Sequence, residues 1–337
     1  MRKKNNDIKE SFFKQMEKEL NSFVDKKTGL VRDKYLKKIK CPLCFEKKEH
    51  KFLFIKNGLR FVRCRKCGFV FVNPRFKEEI ILNGYKDKNL NKSNRVWKDV
   101  LLDKKQYDFN TKSYTFLLKK LRNIKLGEKE KILDIGCSIG HFMEVANNFG
   151  YITEGIELES EAREIALDKN FVVYDKKLED INFPEKSFDN VALLGLIEHL
   201  PNPVDFMKEV NKILPKGGAV LFNGIPNINS MVSMILRDRA RMFNGRNHLG
   251  YYNINTLKYL LDKTGFTLKY FNTYVSGVDS LINYFQFMEP FDKLDTNFIN
   301  KKLLKKILKN EKILNNFLEE FDLGYKIRAI AIKKRNI

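Results

Sequence analysis

Short apolar runs alternate with amphipathic segments between residues 130 and 275. Runs such as KILDI, VALL and AVLF are four or five residues long, which is typical of strands. The segment LESEAREIALDKN lies between two such runs and has the spacing of an amphipathic helix. Because strand and helix patterns take turns along the chain, they predict an α/β domain built on a parallel sheet.

Two apolar runs in the N-terminal third flank the dipeptide Asn57-Gly58 within KFLFIKNGLRFVR. Asn-Gly is a strong signal for a two-residue turn between antiparallel strands, because both residues tolerate positive φ. We therefore predict a β-hairpin in this segment.

A third pattern, NKKLLKKILKNEKILNNFLEEF at residues 300–321, repeats apolar residues at helical spacing with Lys on the other face. Such a basic amphipathic helix usually packs on its own domain, which we expect here, and peripheral membrane contact is the alternative. No run of about 18 apolar residues occurs, so no transmembrane helix is predicted. The charged N-terminus has no apolar signal-peptide core, and we expect a cytoplasmic protein.

The net charge of the 337-residue chain is +22, and much of it lies at the two ends. Residues 1–40 hold 13 basic and 6 acidic side chains, and residues 301–337 hold 11 and 4. Solvated lysine-rich ends are the simpler interpretation. The alternative is an anionic partner: a nucleic acid, a membrane surface or a phosphorylated substrate.

Four of the five cysteines form two Cys-x-x-Cys pairs, Cys41/Cys44 and Cys64/Cys67, with 19 residues between the pairs. This spacing predicts a zinc ribbon, because each pair supplies two thiolates to one tetrahedral ion. Four protein ligands leave no open position, so the Zn²⁺ would be structural. A redox interpretation needs one pair on a thioredoxin-like unit and fits poorly.

The motif KILDIGCSIGHF is a strand followed by a glycine-rich turn and the start of a helix. Gly136 and Gly140 allow a tight turn close to a ligand at a helix N-terminus. Glu157 ends the next strand pattern, 21 residues beyond Gly136, where an acidic side chain can accept both ribose hydroxyls of a nucleoside.

Five blocks in chain order carry a resemblance to a known family: LDIGCSIG, GIELE, FPEKSFD, LIEHLPNP and KGGAVLFNGIPN. This set resembles the class I S-adenosylmethionine-dependent methyltransferases over roughly residues 128–275, with RAIAIKK as the last strand. The resemblance implies a Rossmann-like seven-stranded sheet whose last strand is antiparallel, and S-adenosylmethionine as cofactor.

The same resemblance implies the cofactor-binding residues. Asp134, Gly136, Ser138 and Gly140 fall on the loop that contacts the methionine part, although the family often has a third glycine where this chain has Ser138. Glu157 falls on the ribose-binding acid. Leu178 falls in the loop whose backbone touches adenine.

Two histidines are the candidate catalytic residues. His199 follows the fourth strand of the pattern, and His248 lies between the fifth and sixth strands. Each is predicted either to act as a general base or to shape the site. The arginine-rich segment RDRARMFNGR supplies Arg239, Arg241 and Arg246 as candidates for binding an anionic acceptor, with a solvated helix face as the alternative.

The predicted domain order is a helical leader (1–36), the zinc ribbon (37–76), a helical connector (77–127) and the methyltransferase domain (128–337), with acceptor-side insertions at about 226–255 and 276–323. Chains of this type resemble enzymes that methylate sugars or small molecules in polysaccharide and natural-product pathways, which is the function we expect. An RNA methyltransferase that grips RNA with its ribbon is the main alternative, and a non-catalytic zinc-ribbon binding module is the second.

Overall fold

The computed structural model describes residues 2–86, 92–125, 130–275 and 309–337. No helix in these ranges is long and apolar enough to cross a membrane. The helices are, in chain order, α1 (Arg2–Asn21), α2 (Glu78–Lys86), α3 (Lys92–Leu102), α4 (Lys104–Ile124), α5 (His141–Asn148), α6 (Ser160–Asp168), α7 (Leu178–Ile181), α8 (Pro203–Ile213), α9 (Met231–Leu236), α10 (Ile254–Lys263) and α11 (Glu311–Glu320). Short 3₁₀ helices lie at Asp33–Tyr35, Ile197–His199 and Arg237–Arg239.

The strands form three sheets. They are β1 (Leu36–Lys37), β2 (His50–Lys56), β3 (Leu59–Cys64), β4 (Val70–Val72), β5 (Arg75–Phe76), β6 (Lys131–Ile135), β7 (Ile152–Ile156), β8 (Val172–Tyr174), β9 (Asn190–Leu194), β10 (Ala219–Pro226), β11 (Gly250–Tyr251), β12 (Phe266–Tyr274) and β13 (Lys326–Lys333).

The largest sheet has seven strands in the order β12-β13-β10-β9-β6-β7-β8. The strands from β10 to β8 pair in parallel, and β13 is antiparallel to both β10 and β12. One face of the sheet packs on α4 and α5, and the other packs on α8 and α10. The predicted α/β fold with an antiparallel last strand is therefore confirmed.

The predicted hairpin joins β2 to β3 through Asn57 and Gly58, whose φ angles are 52° and 73°. Positive φ at both turn positions matches the twist of the two strands. The hairpin continues into a four-stranded sheet in the order β11-β4-β3-β2. Strand β11 comes from far along the chain, and its Gly250 pairs with Phe71 of β4.

The cysteine-rich segment also shares its hydrophobic core with the α/β domain. Leu43, Phe69 and Phe71 are buried in one cluster with Tyr252 and Leu257. A small ribbon buries too little apolar surface to be stable alone. The chain meets that need by packing this segment against the larger domain.

The described part of the predicted C-terminal helix is α11, and residues 300–308 lie outside the described residues. Leu318 is buried, and its carbonyl accepts a hydrogen bond from Thr273 Oγ1 at 3.3 Å. Ile313, Phe317 and Phe321 are exposed. The helix thus packs on its own domain through one side, and membrane contact stays a prediction.

Candidate functional site

The glycine-rich loop follows β6 and leads into α5. The N–H groups of Gly136 and Cys137 donate to the Ile156 carbonyl, which fixes the loop against the end of β7. Gly136, Ser138 and Gly140 all have positive φ, at 78°, 51° and 73°. A Cβ at Gly140 would also come within 3.0 Å of the Phe171 ring. Glycine is therefore required at Gly140, and Ser138 occupies a conformation that glycine adopts more readily.

Glu157 lies just beyond β7, beside this loop. Its carboxylate accepts hydrogen bonds from the N–H groups of Ser138, at 2.9 Å, and Glu159, at 2.7 Å. Burial raises the pKa of the Glu157 carboxyl, and the backbone donors partly offset this effect. The side chain lines a cavity in the position expected for a ribose-binding acid at the carboxyl end of a parallel strand.

Asp134, in β6, is buried, and its Oδ1 has no hydrogen-bond partner among the described residues. Burial, and next the nearby Glu157 charge, raise the pKa of Asp134 to about 8. A buried carboxylate without a partner is costly unless a cation or donor reaches it. Asp134 therefore fits the ammonium group of a bound amino-acid moiety.

Leu178 is the first residue of α7 and is buried against the cavity. Lys177 precedes it, and its Nζ lies 3.9 Å from Oε1 of Glu179 in α7. The predicted adenine loop is thus on the cavity wall, beside Glu157.

One cavity of about 720 Å³ joins these residues to a second group of side chains. Its size falls within the range of about 300–1,000 Å³ that is usual for small-molecule sites. The glycine-rich loop, Glu157 and Leu178 line one end. His199 and His248 line the same cavity, so the structure brings both predicted catalytic residues to the predicted cofactor site.

His199 ends the 3₁₀ helix after β9, and its ring meets that of His248 edge-to-face with centroids 5.0 Å apart. Nδ1 of His248 lies 3.0 Å from the Met242 carbonyl. Burial lowers the pKa of His248 to about 4, and burial followed by the neighbouring His248 holds the pKa of His199 well below its usual range. Both imidazoles are therefore neutral at pH 7.

Glu198 was not predicted as a site residue, although it stands next to His199. It is buried, lines the cavity, and its Oε1 lies 3.9 Å from His199 Nε2. Burial raises the pKa of Glu198 to about 8. The Glu-His pair in LIEHLPNP was the available signal, but the sequence alone does not tell that both side chains turn toward the cavity.

The three predicted acceptor-binding arginines separate in the structure. Arg241 lines the cavity and lies over the Phe13 ring at 4.8 Å. Arg239 is exposed and is not among the cavity-lining residues. Arg246 forms an ion pair with Glu19 of α1 and is also absent from the cavity lining. Of the three, only Arg241 is placed to meet an acceptor.

Aromatic side chains from the N-terminal helices complete the wall, and no sequence motif marks them. Phe12 of α1 contacts Trp97 of α3 with ring centroids 5.0 Å apart and the ring planes tilted by 49°, and both line the cavity. Tyr114 of α4 and Tyr274 of β12 line it as well. These residues lie far apart in the sequence, which is why only the folded chain brings them together.

The four ribbon cysteines also converge. Their sulfur atoms all lie within 4.8 Å of one another, with Cys41–Cys67 at 3.5 Å and Cys44–Cys64 at 3.4 Å. Sulfurs bonded to one tetrahedral Zn²⁺ at about 2.3 Å would be about 3.8 Å apart. The cluster therefore has the ligand set and spacing of a structural zinc site.

Comparisons with known proteins agree with this geometry. The family model described as "Methyltransferase domain" matches residues 103–270. Phosphoethanolamine N-methyltransferase 2 of Caenorhabditis elegans is 32% identical over 123 residues, which are 34% of this chain and 27% of that protein. Ubiquinone biosynthesis O-methyltransferase of Shewanella sp. (strain ANA-3) is 29% identical over 115 residues, 32% of this chain and 49% of that protein. The chain thus spans about a quarter to a half of the length of these curated relatives.

Among solved structures, a SAM dependent methyltransferase from Archaeoglobus fulgidus is 21% identical, covers 66% of this chain and 94% of its own, and has a TM-score of 0.46. The family match covers strands β6 to β10 of the seven-stranded sheet. The antiparallel last strand of that sheet is the one that the resemblance implied. The chain belongs to the class I S-adenosylmethionine-dependent methyltransferases.

Proposed function

We propose that this protein transfers the methyl group of S-adenosylmethionine to an anionic small-molecule or sugar-type acceptor, such as a nucleotide-linked sugar or a glycan precursor. The proposal rests on one observation: the same cavity is lined by the predicted cofactor residues, by His199 and His248, and by three cationic side chains. These three cations are Lys9, Arg241 and Lys326, and a fourth, Lys177, lines the cavity beside the predicted adenine loop.

The basic side chains at the acceptor end of the cavity support an anionic acceptor. Burial, and next the nearby Lys326, lower the pKa of Lys9 to about 8, and a bound anion would raise it again by favouring the charged ammonium. Arg241 offers the planar donor pairs that suit phosphate or carboxylate. Carboxyl groups outside the cofactor end line the cavity as well, so the acceptor's charge is the property that an experiment must vary. They are Glu78, Glu198, Asp205 and Glu209.

The chemistry is an in-line displacement. The C–S bond of the sulfonium breaks as the bond between the methyl carbon and the acceptor nucleophile forms, and S-adenosylhomocysteine leaves. A hydroxyl acceptor also loses a proton. His248 or His199 would take that proton, because both imidazoles are neutral at pH 7 and line the cavity.

The test is methyl transfer from labelled S-adenosylmethionine to paired acceptors that differ only in an anionic group. Arg241→Gln should raise KM for the anionic member by about tenfold or more while KM for the neutral member is unchanged. Arg239→Gln removes the same charge from the same segment outside the cavity and is the matched control. Equal effects of the two substitutions would contradict the proposal.

RNA is the competing acceptor class. A nucleic-acid-binding function predicts retention on RNA that falls steeply with salt, because bound phosphates release counterions. Methylation of a small anionic acceptor without RNA retention at low salt supports the proposal. Labelled RNA as the main product would instead favour the alternative.

We also infer that Cys41, Cys44, Cys64 and Cys67 hold a structural Zn²⁺. A closed set of four thiolates leaves no position for substrate, so the ion would stabilise the ribbon and take no part in methyl transfer. Elemental analysis of the purified protein should find one zinc per chain. Its absence would overturn the assignment.

A further inference from the structure

Glu198, His199 and His248 converge at the acceptor end of the cavity, whereas proton transfer needs only one general base. One carboxylate oxygen of Glu198 and one ring nitrogen each of His199 and His248 all lie within 4.8 Å of one another. Neighbouring ligands bonded to one ion at about 2.1 Å lie about 3.0–3.4 Å apart. The three donor atoms would therefore approach one another by up to about 2 Å when they bind an ion.

Both histidines are oriented by backbone carbonyls. A carbonyl oxygen only accepts, so Nδ1 of His248, 3.0 Å from the Met242 carbonyl, carries the proton. Nε2 of His248 is then left with a lone pair. His199 is likewise hydrogen-bonded to the backbone of Asn247. Metal-binding histidines almost always donate their second nitrogen to such an acceptor, which fixes the tautomer and the ring.

Glu198 supplies the independent observation. Its side chain is buried, and its Oε2 has no hydrogen-bond partner among the described residues. An unsatisfied buried carboxylate is costly, and a cation in the cavity would compensate it. Lys326 acts on Glu198 and His248 electrostatically from the same wall, and it is the competing source of that compensation.

The backbone holds the three groups as one unit. The N–H of Leu249, next to His248, donates to the Glu198 carbonyl at 2.8 Å. The carbonyl of Leu249 in turn accepts from Val72 of β4 at 3.2 Å. The segment that carries His248 is thereby fixed to the 3₁₀ helix that carries Glu198 and His199, as a preorganised site requires.

We propose that Glu198, His199 and His248 bind a divalent first-row transition metal ion whose remaining coordination positions face the cavity. Two imidazoles and one carboxylate form a set that leaves open positions for exogenous ligands. The next step rests on the proposed function: the open coordination positions bind oxygen atoms of a hydroxyl-bearing acceptor. The ion then lowers the pKa of the hydroxyl that receives the methyl group and fixes its direction. Because the free nitrogens of both histidines bind the ion, the hydroxyl proton passes to water and not to His199 or His248.

The test titrates Mn²⁺ into the full-length protein without acceptor, followed by calorimetry and electron paramagnetic resonance. Mn²⁺ is chosen because it prefers oxygen and nitrogen ligands over the thiolates of the ribbon. One saturable site per chain is expected. Glu198→Gln and His248→Gln should each weaken it by more than the 10- to 100-fold loss that is typical when an outer-shell partner is changed.

Two variants keep this result interpretable. Glu209→Gln neutralises another cavity carboxylate, one that pairs with Lys212, and should leave Mn²⁺ affinity unchanged. Lys326→Gln removes the competing cation and should strengthen Mn²⁺ binding. No saturable binding, or equal binding by the Glu198→Gln variant, would overturn the metal site.

Methyl transfer separates the two proposals. Activity that is lost with a chelator and restored by Mn²⁺, an ion that the ribbon thiolates do not favour, supports both. Full activity of the metal-free protein would contradict the metal site and would still support the proposed function. Saturable Mn²⁺ binding at these residues, without transfer to any anionic acceptor, keeps the site and rejects the proposed function.

Discussion

Replacing Asp134 by asparagine should stabilise the cofactor-free protein and weaken cofactor binding at the same time. Asparagine keeps the shape of the protonated carboxyl and carries no charge. In the folded protein the pKa of Asp134 is raised from 3.8 to about 8 by burial and then by Glu157. The native state therefore holds a proton at neutral pH that the unfolded chain releases.

The sign of the pH dependence follows from this raised pKa. Between about pH 4 and pH 8 the folded state binds more protons than the unfolded chain, so wild-type stability falls as pH rises through this window. One unit of pKa shift corresponds to about 1.4 kcal/mol. The free energy of unfolding of Asp134→Asn should exceed that of the wild type by a margin that grows by about 3 kcal/mol from pH 5 to pH 7.

Urea denaturation of both proteins without cofactor, at pH 5, 6 and 7, measures this margin. Asp168→Asn makes the same substitution at an exposed position at the end of α6 and is the matched control. Calorimetry should show Asp134→Asn binding S-adenosylmethionine about tenfold or more weakly, because a charge-assisted hydrogen bond is lost. A margin that stays constant with pH would refute the protonated state of Asp134.

Three further substitutions address other parts of the molecule. Cys67→Ser should abolish zinc retention and lower the rate of methyl transfer while S-adenosylmethionine affinity, followed by calorimetry, is kept. Gly155→Ala places a Cβ 2.6 Å from the Cys137 sulfur and should displace the glycine-rich loop, which a loss of cofactor affinity would report. Glu19→Gln removes the carboxylate that pairs with the largely buried Arg246 and should lower the free energy of unfolding by about 3 kcal/mol. Urea denaturation measures this loss, and an unchanged urea midpoint would contradict a stabilising role of the ion pair.

The fold was largely predictable because its signals are local. The alternation of apolar runs and amphipathic segments gave the α/β layout, and Asn57-Gly58 gave the hairpin, since each element depends on neighbouring residues. The pairing of β4 with β11 was not predictable, because a strand of two residues carries no signal for a partner about 180 positions away. Residues 87–91, 126–129 and 276–308 lie outside the described residues, so part of the predicted acceptor-side insertion stays a prediction.

The two ends of the cavity differ in the same way. The predicted cofactor end depends on a loop and a strand end only 21 residues apart, so local spacing, together with the family resemblance, was enough to predict Gly136 and Glu157 as cofactor-binding residues. At the other end, the sequence predicted that Arg239, Arg241 and Arg246 bind an anionic acceptor, with a solvated helix face as the alternative. The helix ends at Leu236, and the chain continues through a 3₁₀ turn and an irregular segment, so only Arg241 reaches the cavity.

The ribbon is connected through backbone hydrogen bonds to the acceptor end of the cavity, so the cysteine cluster can affect the position of the histidines there. Strand β4 pairs with β11, and β11 begins two residues after His248. Leu249 bridges the 3₁₀ helix of Glu198 and the N–H of Val72 in β4. Any loosening of the ribbon therefore shifts His248 against Glu198, whereas the glycine-rich loop is anchored separately on β7. Loss of the ribbon metal should for this reason impair catalysis before it impairs cofactor binding.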